Sequence, residues 1–266
     1  MKPVSFASVL LLSTGLFTTL GLLGSGCGGK SDGPSSGGAP TPVAQTPLPE
    51  PPYVAKCEPG VHGGRLVVAT FGDPKTFNPI TANEASSTDI IRFLFMGLVN
   101  MDMPSQEIIP ALAHKWSVLP DNKTWTFELR KGLKWSDGKP LTADDVVFTW
   151  DVIYNPDIIN VTADLFRIDG KNFKVTKIDD LTIQVVTPEP YAPFVEFFGQ
   201  IPIIPKHILN RSVAEKSFVS AYGISTPPDQ LVGSGPFRVK QFKPGEFTLM
   251  ERNPYFWGVD SKGQRL

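Results

Sequence analysis

From Thr124 to Arg130 the side chains alternate without a break. Trp125, Phe127 and Leu129 fall on one side of an extended chain, and Thr124, Thr126, Glu128 and Arg130 on the other. A period of two predicts a half-buried strand, most simply in an antiparallel sheet, because successive side chains of a strand point to opposite faces. Leu181, Ile183 and Val185, with Thr182 and Gln184 between them, predict a second such strand. Between the two, Ser136-Asp137-Gly138-Lys139-Pro140 has the composition of a turn. Thr142-Ala143-Asp144-Asp145 then places a hydroxyl and a carboxylate at capping-box spacing, and Val146, Val147, Trp150, Ile153 and Tyr154 continue as one helical stripe until Asn155-Pro156 stops it.

Other segments read in the same way. Arg65 to Phe71, after Gly63-Gly64 and before Gly72-Asp73-Pro74, predicts a buried strand. Ser86 to Asp89 offers helix-starting oxygens ahead of Ile90, Ile91, Leu94, Phe95 and Leu98 at helical spacing. Phe237–Phe242 and Glu246–Arg252 read as a hairpin joined by Lys243-Pro244-Gly245, where Pro then Gly suit the middle of a type II turn. Strands mixed with capped helices predict an α/β, or mixed α+β, protein. Trp116, Trp125, Trp135 and Trp150 are expected in the core.

The first sixty residues do not read as core. Met1-Lys2 precedes an uncharged apolar run from Val4 to Leu23, the pattern of a signal peptide. Leu23-Gly24-Ser25-Gly26-Cys27 resembles a bacterial lipobox, which implies lipidation at Cys27; Gly24 stands where that motif prefers Leu. A plain cleaved signal and an uncleaved anchor are the alternatives. Gly28 to Pro52 is rich in Gly, Ser, Pro and Thr and cannot bury enough surface to offset its ordering entropy, so it is expected to be a tether. Cys57 is unpaired if Cys27 is acylated and is a disulfide partner for it otherwise.

Charge and chemistry-bearing residues narrow the function. With 25 Lys+Arg against 26 Asp+Glu, the chain lacks the positive excess that nucleic acid demands. Two cysteines and three scattered histidines, His62, His114 and His207, have no familiar metal-ligand spacing, and no cofactor motif is present. Ser136-x-x-Lys139 has the spacing of a serine-lysine nucleophile pair, but it lies in a turn and lacks the companion Lys-Thr-Gly and Ser-Asp-Asn motifs. Asp144 and Asp145 diverge by about 100° on a helix and read as charges at its N-terminus instead of a metal pair. Gly233-Ser234-Gly235 lacks a third glycine and is followed by Pro236, so it reads as a sharp turn into the strand at Phe237 and not as a phosphate cradle.

Taken in order, several stretches resemble extracytoplasmic solute-binding proteins of the oligopeptide and dipeptide ABC-importer type, solute-binding protein family 5. They are Gly63-Gly64-Arg65-Leu66-Val67-Val68, Asp73-Pro74-Lys75-Thr76-Phe77-Asn78-Pro79, Met96-Gly97-Leu98-Val99 and Ile109-Pro110-Ala111-Leu112-Ala113. The series continues with Trp125 to Trp135, Ser136 to Phe148, Gly233-Ser234-Gly235-Pro236-Phe237 and Glu251-Arg252-Asn253-Pro254-Tyr255-Phe256-Trp257.

The resemblance implies a bilobal receptor that closes on its ligand by a hinge and delivers it to ABC permease subunits. It implies a non-enzymatic role outside the inner membrane, in the periplasm or its equivalent, with peptides or other small solutes as cargo. Family members are longer than this chain, so the expectation is a truncated product holding a periplasmic-binding-protein-like lobe I with an accessory subdomain, the second lobe missing. The implied layout is a signal peptide over 1–26, a tether over 27–60, lobe I over 61–80 and 191–258, the accessory subdomain over 81–190, and the start of a crossover over 259–266. Thr81, Ala82, Asn83 and Glu84 are the implied ligand contacts, and Gly233, Ser234 and Gly235 the implied hinge or cleft backbone. A tethered structural or partner-binding lipoprotein, and a serine hydrolase using Ser136 and Lys139, stand as the competing classes.

Overall fold

Strand β5 (Thr124–Leu129) lies in the middle of an antiparallel sheet, paired on one side with β4 (Ala113–Val118) and on the other with β9 (Thr182–Val186), which in turn pairs with β8 (Lys174–Lys177). This computed structural model describes residues 46–266 apart from His62 and Val161; Cys27, the apolar run and the tether up to residue 45 lie outside the described residues. The remaining elements, in chain order, are β1 (Tyr53–Val54), α1 (Ala85–Leu94), β2 (Val99–Asp102), β3 (Glu107–Pro110), α2 (Ala143–Ile153), β6 (Arg167–Ile168) and β7 (Lys171–Asn172). After β9 come α3 (Phe194–Gly199), α4 (Lys206–Ala214), β10 (Phe237–Lys243), β11 (Phe247–Arg252) and β12 (Gly258–Val259). No helix among them is long and apolar enough to cross a membrane.

The sheet presents one apolar face, and helices cover it. Phe127 sits opposite Trp116 and Ile183 in the ladder and is wholly buried. Phe194 and Phe198 of α3 lie against it, with ring centroids 6.1 Å away in each case, and Phe194 stacks on Trp125 at 4.8 Å. Trp150 of α2 stacks face to face on Phe198 at 4.2 Å and meets the edge of Phe166 at 4.9 Å. Such pairs add about 0.5–1.5 kcal/mol each beyond the area they bury. Trp135 and Trp150 are buried as expected, whereas Trp116 and Trp125 are only partly so.

Helix α2 begins where its capping residues predict. The Asp145 carboxylate accepts the Thr142 amide at 2.9 Å, holding the first turn, and the helix ends at Ile153 before Asn155-Pro156. The predicted hairpin also forms, as β10 and β11. Gly245 has φ +75° and the Glu246 amide donates to the Lys243 carbonyl at 3.0 Å, as a type II turn with Pro then Gly requires. Helix α4 had no expectation behind it, because its sequence holds a single deeply buried residue, Leu209.

Four expectations are corrected. The stretch from Glu50 to Ala55, expected within the tether, packs on the body: Glu50 bonds to Lys131, and Tyr53–Val54 pairs in parallel with Gly258–Val259. Arg65–Phe71 forms no strand; Leu66, Val67, Val68 and Phe71 are exposed at 88, 82, 70 and 114%. A β-prone run needs a partner edge, and no strand among the described residues pairs with it. Helix α1 begins at Ala85, ahead of the serines, and the Ser87 hydroxyl instead accepts the amides of Lys75 and Thr76 at 2.9 and 3.1 Å. Arg130, expected on the polar face, is 3% exposed. It lies just past the end of β5, where the segment around Glu50 crosses over: Glu50 and Lys131 exchange backbone hydrogen bonds of 2.9 Å each way.

Candidate functional site

Asn78 fixes the base of the loop expected to touch ligand. Its buried side chain donates to the carbonyls of Phe218 and Ala221 at 3.1 and 3.2 Å and accepts the Ile80 amide at 3.0 Å. The neighbouring Phe77 amide donates to the Tyr222 carbonyl at 2.8 Å, and the Ala82 amide returns to the Asn78 carbonyl at 3.0 Å. Thr81, Ala82 and Glu84 are half-buried and Asn83 is exposed at the tip. The loop is thus anchored in the core at one end and open to solvent at the other. Glu84 accepts from the Ser87 hydroxyl and the Asn83 amide, and the Ser87 bond holds its carboxyl below the usual carboxylate range.

Gly233, Ser234 and Gly235 are all buried. A Cβ on Gly233 would stand 2.1 Å from the Leu94 carbonyl oxygen, and one on Gly235 2.3 Å from that of Phe93, so only glycine lets this segment press against the end of α1. The Ser234 hydroxyl accepts the Met96 amide at 3.0 Å, the Gly235 amide donates to Leu94 at 2.8 Å, and Asn253 donates to the Gly235 carbonyl at 2.8 Å. Gly233 also exchanges two hydrogen bonds with Ser136: its amide donates to the serine hydroxyl at 3.1 Å, and the serine amide donates to its carbonyl at 2.8 Å. Four sequence-distant segments therefore meet at this point. The three residues form a buried packing node and do not line an open surface.

The same geometry bears on the serine-lysine pair. The Ser136 hydroxyl is buried and committed to Gly233, while Lys139 is exposed. Beside it, the Asp137 carboxylate accepts from His207 Nε2 at 2.8 Å, and the imidazole is tilted over Trp135 with centroids 6.4 Å apart. The indole of Trp135 donates at 3.3 Å to Asp145, which also accepts the Lys206 amide at 2.9 Å. This ties the Ser136 turn, α2 and the start of α4 together. Burial pushes the Asp145 carboxyl up, while a bond from Lys177 pulls the outward-facing Asp144 down. The two carboxylates diverge as their helix positions require.

A shallow cavity of about 240 Å³ lies nearby, lined by Asp137, Asp229, Arg238, Lys240 and Glu251 among others. Its cations are already spoken for: Arg238 and Lys240 both pair with Glu251, at 2.8 and 3.1 Å. None of Thr81–Glu84 or Gly233–Gly235 lines it. Sequence reasoning missed His207–Asp137 and Arg130, because each depends on a partner far along the chain. Arg130 donates from Nε to the Ala111 carbonyl at 2.7 Å and from Nη1 to that of Pro51 at 2.5 Å, with its guanidinium 5.2 Å over the Trp257 ring. Burial pushes its pKa down to about 10.

Against known proteins, residues 107–265 match the profile of bacterial extracellular solute-binding proteins, family 5 Middle. A probable ABC transporter-binding protein of Deinococcus radiodurans is 34% identical over 211 residues, which cover 77% of this chain and 35% of the relative. A dipeptide-binding protein of Escherichia coli is 30% identical over 223 residues, covering 75% of this chain and 39% of that protein. The chain thus spans well under half the length of these curated relatives. The crystal structure of the ABC transporter substrate-binding protein CtaP from Listeria monocytogenes superposes with a TM-score of 0.62 at 33% identity, over 74% of this chain and 38% of that one. The ordered signatures, the mixed α/β body and these matches agree: the chain belongs to the bacterial extracellular solute-binding proteins of family 5.

Proposed function

We propose that this chain serves as part of the substrate-binding component of an ABC importer, capturing peptides or related small solutes outside the inner membrane and presenting them to permease subunits. The observation that carries the reading is the Thr81–Glu84 loop, fixed in the core through Asn78 and solvent-facing at Asn83, on a body of the family 5 type. Asn83 offers both a donor and an acceptor to a peptide backbone, and Glu84 a carboxylate to an amine. In this reading the loop is one wall of a cleft. Burying a ligand to the usual 70–90% takes a second wall, which the relatives' greater length leaves room for.

Closure around the ligand would work by differential affinity, since only the closed state lets both walls touch it. Gly233–Gly235, the hinge or cleft backbone in this reading, packs against the end of α1. Lipidation at Cys27 and a tether running from it to the packed segment at Glu50 would keep the receptor near its permease while leaving it free to turn, raising effective concentration without fixing geometry.

Native mass spectrometry of the whole substrate-binding component, purified from its own cells, tests the cargo. A co-purifying peptide mass that disappears on Asn83→Ala is the expected result. A solute of another class, or a peptide whose retention does not depend on Asn83, would overturn the assignment.

A further inference from the structure

Tyr222 holds a backbone conformation that its own side chain disfavours. Its φ is +56°, in the left-handed region where a bulky residue crowds its own backbone, and it is buried at 3% exposure. The other non-glycine residues of positive φ among the described residues, Gln106, Asn122, Asp169 and Lys216, are all exposed at turns or bends. Such strain persists only where the surroundings over-determine it, and here they hold the residue at both ends. The phenol donates to the Val232 carbonyl at 3.0 Å and accepts the amide of the same residue at 3.3 Å, an amide that the Gln230 carbonyl shares at 3.1 Å. Burial pushes the phenol pKa up, so it stays a neutral hydroxyl that donates as well as accepts. The ring lies against Phe95, with centroids 6.1 Å apart. At the other end, the Tyr222 carbonyl accepts the Phe77 amide at 2.8 Å and the Thr76 hydroxyl at 3.3 Å, the Ala221 carbonyl accepts from the Asn78 side chain at 3.2 Å, and Gly223 bridges to Thr76.

The side chain and the backbone of this one residue therefore serve two different places. Val232 immediately precedes Gly233–Gly235, whereas Thr76, Phe77 and Asn78 form the base of the Thr81–Glu84 loop. We propose that Tyr222 is a positioning residue for cargo capture, a brace whose phenol, held by Val232, keeps the backbone in the left-handed form that aims its carbonyl at the loop base. The proposal rests on the reading of that loop as one wall of the cleft. Without the hydroxyl, packing alone opposes relaxation of residue 222 toward an ordinary φ, and that relaxation swings its carbonyl away from Phe77. The loop then loses its place while the body keeps its fold. Tyr154 is the matched case without strain. Its phenol likewise donates to a backbone carbonyl, that of Phe166 at 2.9 Å, and accepts a backbone amide, that of Phe173 at 3.2 Å, but its own φ is −89°.

Hydrogen exchange of the whole substrate-binding component, as wild type, Tyr222→Phe and Tyr154→Phe, tests the brace. Each substitution removes one hydroxyl and keeps the ring, so both variants should stay folded by circular dichroism and lose comparable stability. Exchange at the Phe77 and Ile80 amides should quicken about tenfold in Tyr222→Phe and stay at the wild-type rate in Tyr154→Phe. A merely structural role would quicken the Val232 amide alone, or the loop amides equally in both variants; either result overturns the proposal. Native mass spectrometry adds the functional arm. The solute carried by the wild type should be retained about tenfold more weakly by Tyr222→Phe and undiminished by Tyr154→Phe, and equal retention by the two variants overturns the positioning role. A wild type that carries no solute counts against the function proposed above, and the exchange rates then decide the brace by themselves.

Discussion

Ser136 and Gly233, 97 residues apart, hold each other by two hydrogen bonds: amide to hydroxyl at 3.1 Å, and amide to carbonyl at 2.8 Å. The pairing turns a residue with the spacing of a nucleophile into a fastener between a turn and the segment that leads into β10. Ser136→Ala would leave the buried Gly233 amide unpaired, at a cost of about 1–3 kcal/mol. Urea denaturation should show that loss with an unchanged slope. A β-lactam probe should label neither form.

The two glycines flanking Ser234 should be intolerant in a way that Gly245 is not. Gly233→Ala and Gly235→Ala each drive a methyl into a carbonyl of α1, and the expected destabilisation is about 3 kcal/mol or more. Gly245 has nothing within 4 Å of its would-be Cβ but a φ of +75°, so Gly245→Ala should cost only about 1 kcal/mol through backbone strain. Melting temperatures of the three variants should fall in that order.

Asp145 is a buried carboxylate that accepts from Thr142, Lys206 and Trp135. Removing it as Asp145→Ala strands all three donors, and the loss should reach about 3 kcal/mol. Its effect on pH dependence has a definite sign. Because burial raises the folded-state pKa, the native protein binds more protons than the unfolded chain between the two values. The contribution of Asp145 to stability is therefore fullest below its unfolded value, about 4, and declines as pH rises through the folded value. Asp145→Asn should remove that decline, measured as the difference between the two proteins' stability curves from pH 3 to pH 7. A wild-type curve parallel to that of the variant would contradict this account.

Arg130 pins the crossing segment through the Pro51 carbonyl and lies over Trp257. Arg130→Lys keeps the charge but not the planar fork, so it should not rescue the site. Hydrogen exchange is expected to quicken at the Glu50 and Lys131 amides, which bond across the same crossing, in both Arg130→Lys and Arg130→Ala, while the β5 amides at its centre stay protected.

Asn83 is exposed and its side chain supports no part of the fold that the loop base at Asn78 does not already hold. Asn83→Ala should leave the melting temperature within about 1 °C of the wild type, since exposed substitutions usually change stability by less than 0.5 kcal/mol. A larger fall would mean that the residue is structural.

What the sequence determined by itself was whatever neighbouring residues decide among themselves. The period of Trp125, Phe127 and Leu129, the carboxylate three residues after Thr142, and Pro244-Gly245 each act within a few residues, and β5, the start of α2 and the β10–β11 turn followed. The family was legible too, as an ordered series of such short stretches. The tertiary structure alone decided who meets whom. His207 reaches Asp137 across 70 residues, Ser136 reaches Gly233 across 97, and Arg130 leaves the polar face for the interior because the Glu50 segment passes over it. It also decided that Arg65–Phe71, as strand-like by composition as β5, finds no partner edge among the described residues. Propensity is local, but a ladder needs a second edge, and nothing within seven residues of chain can say whether one will arrive.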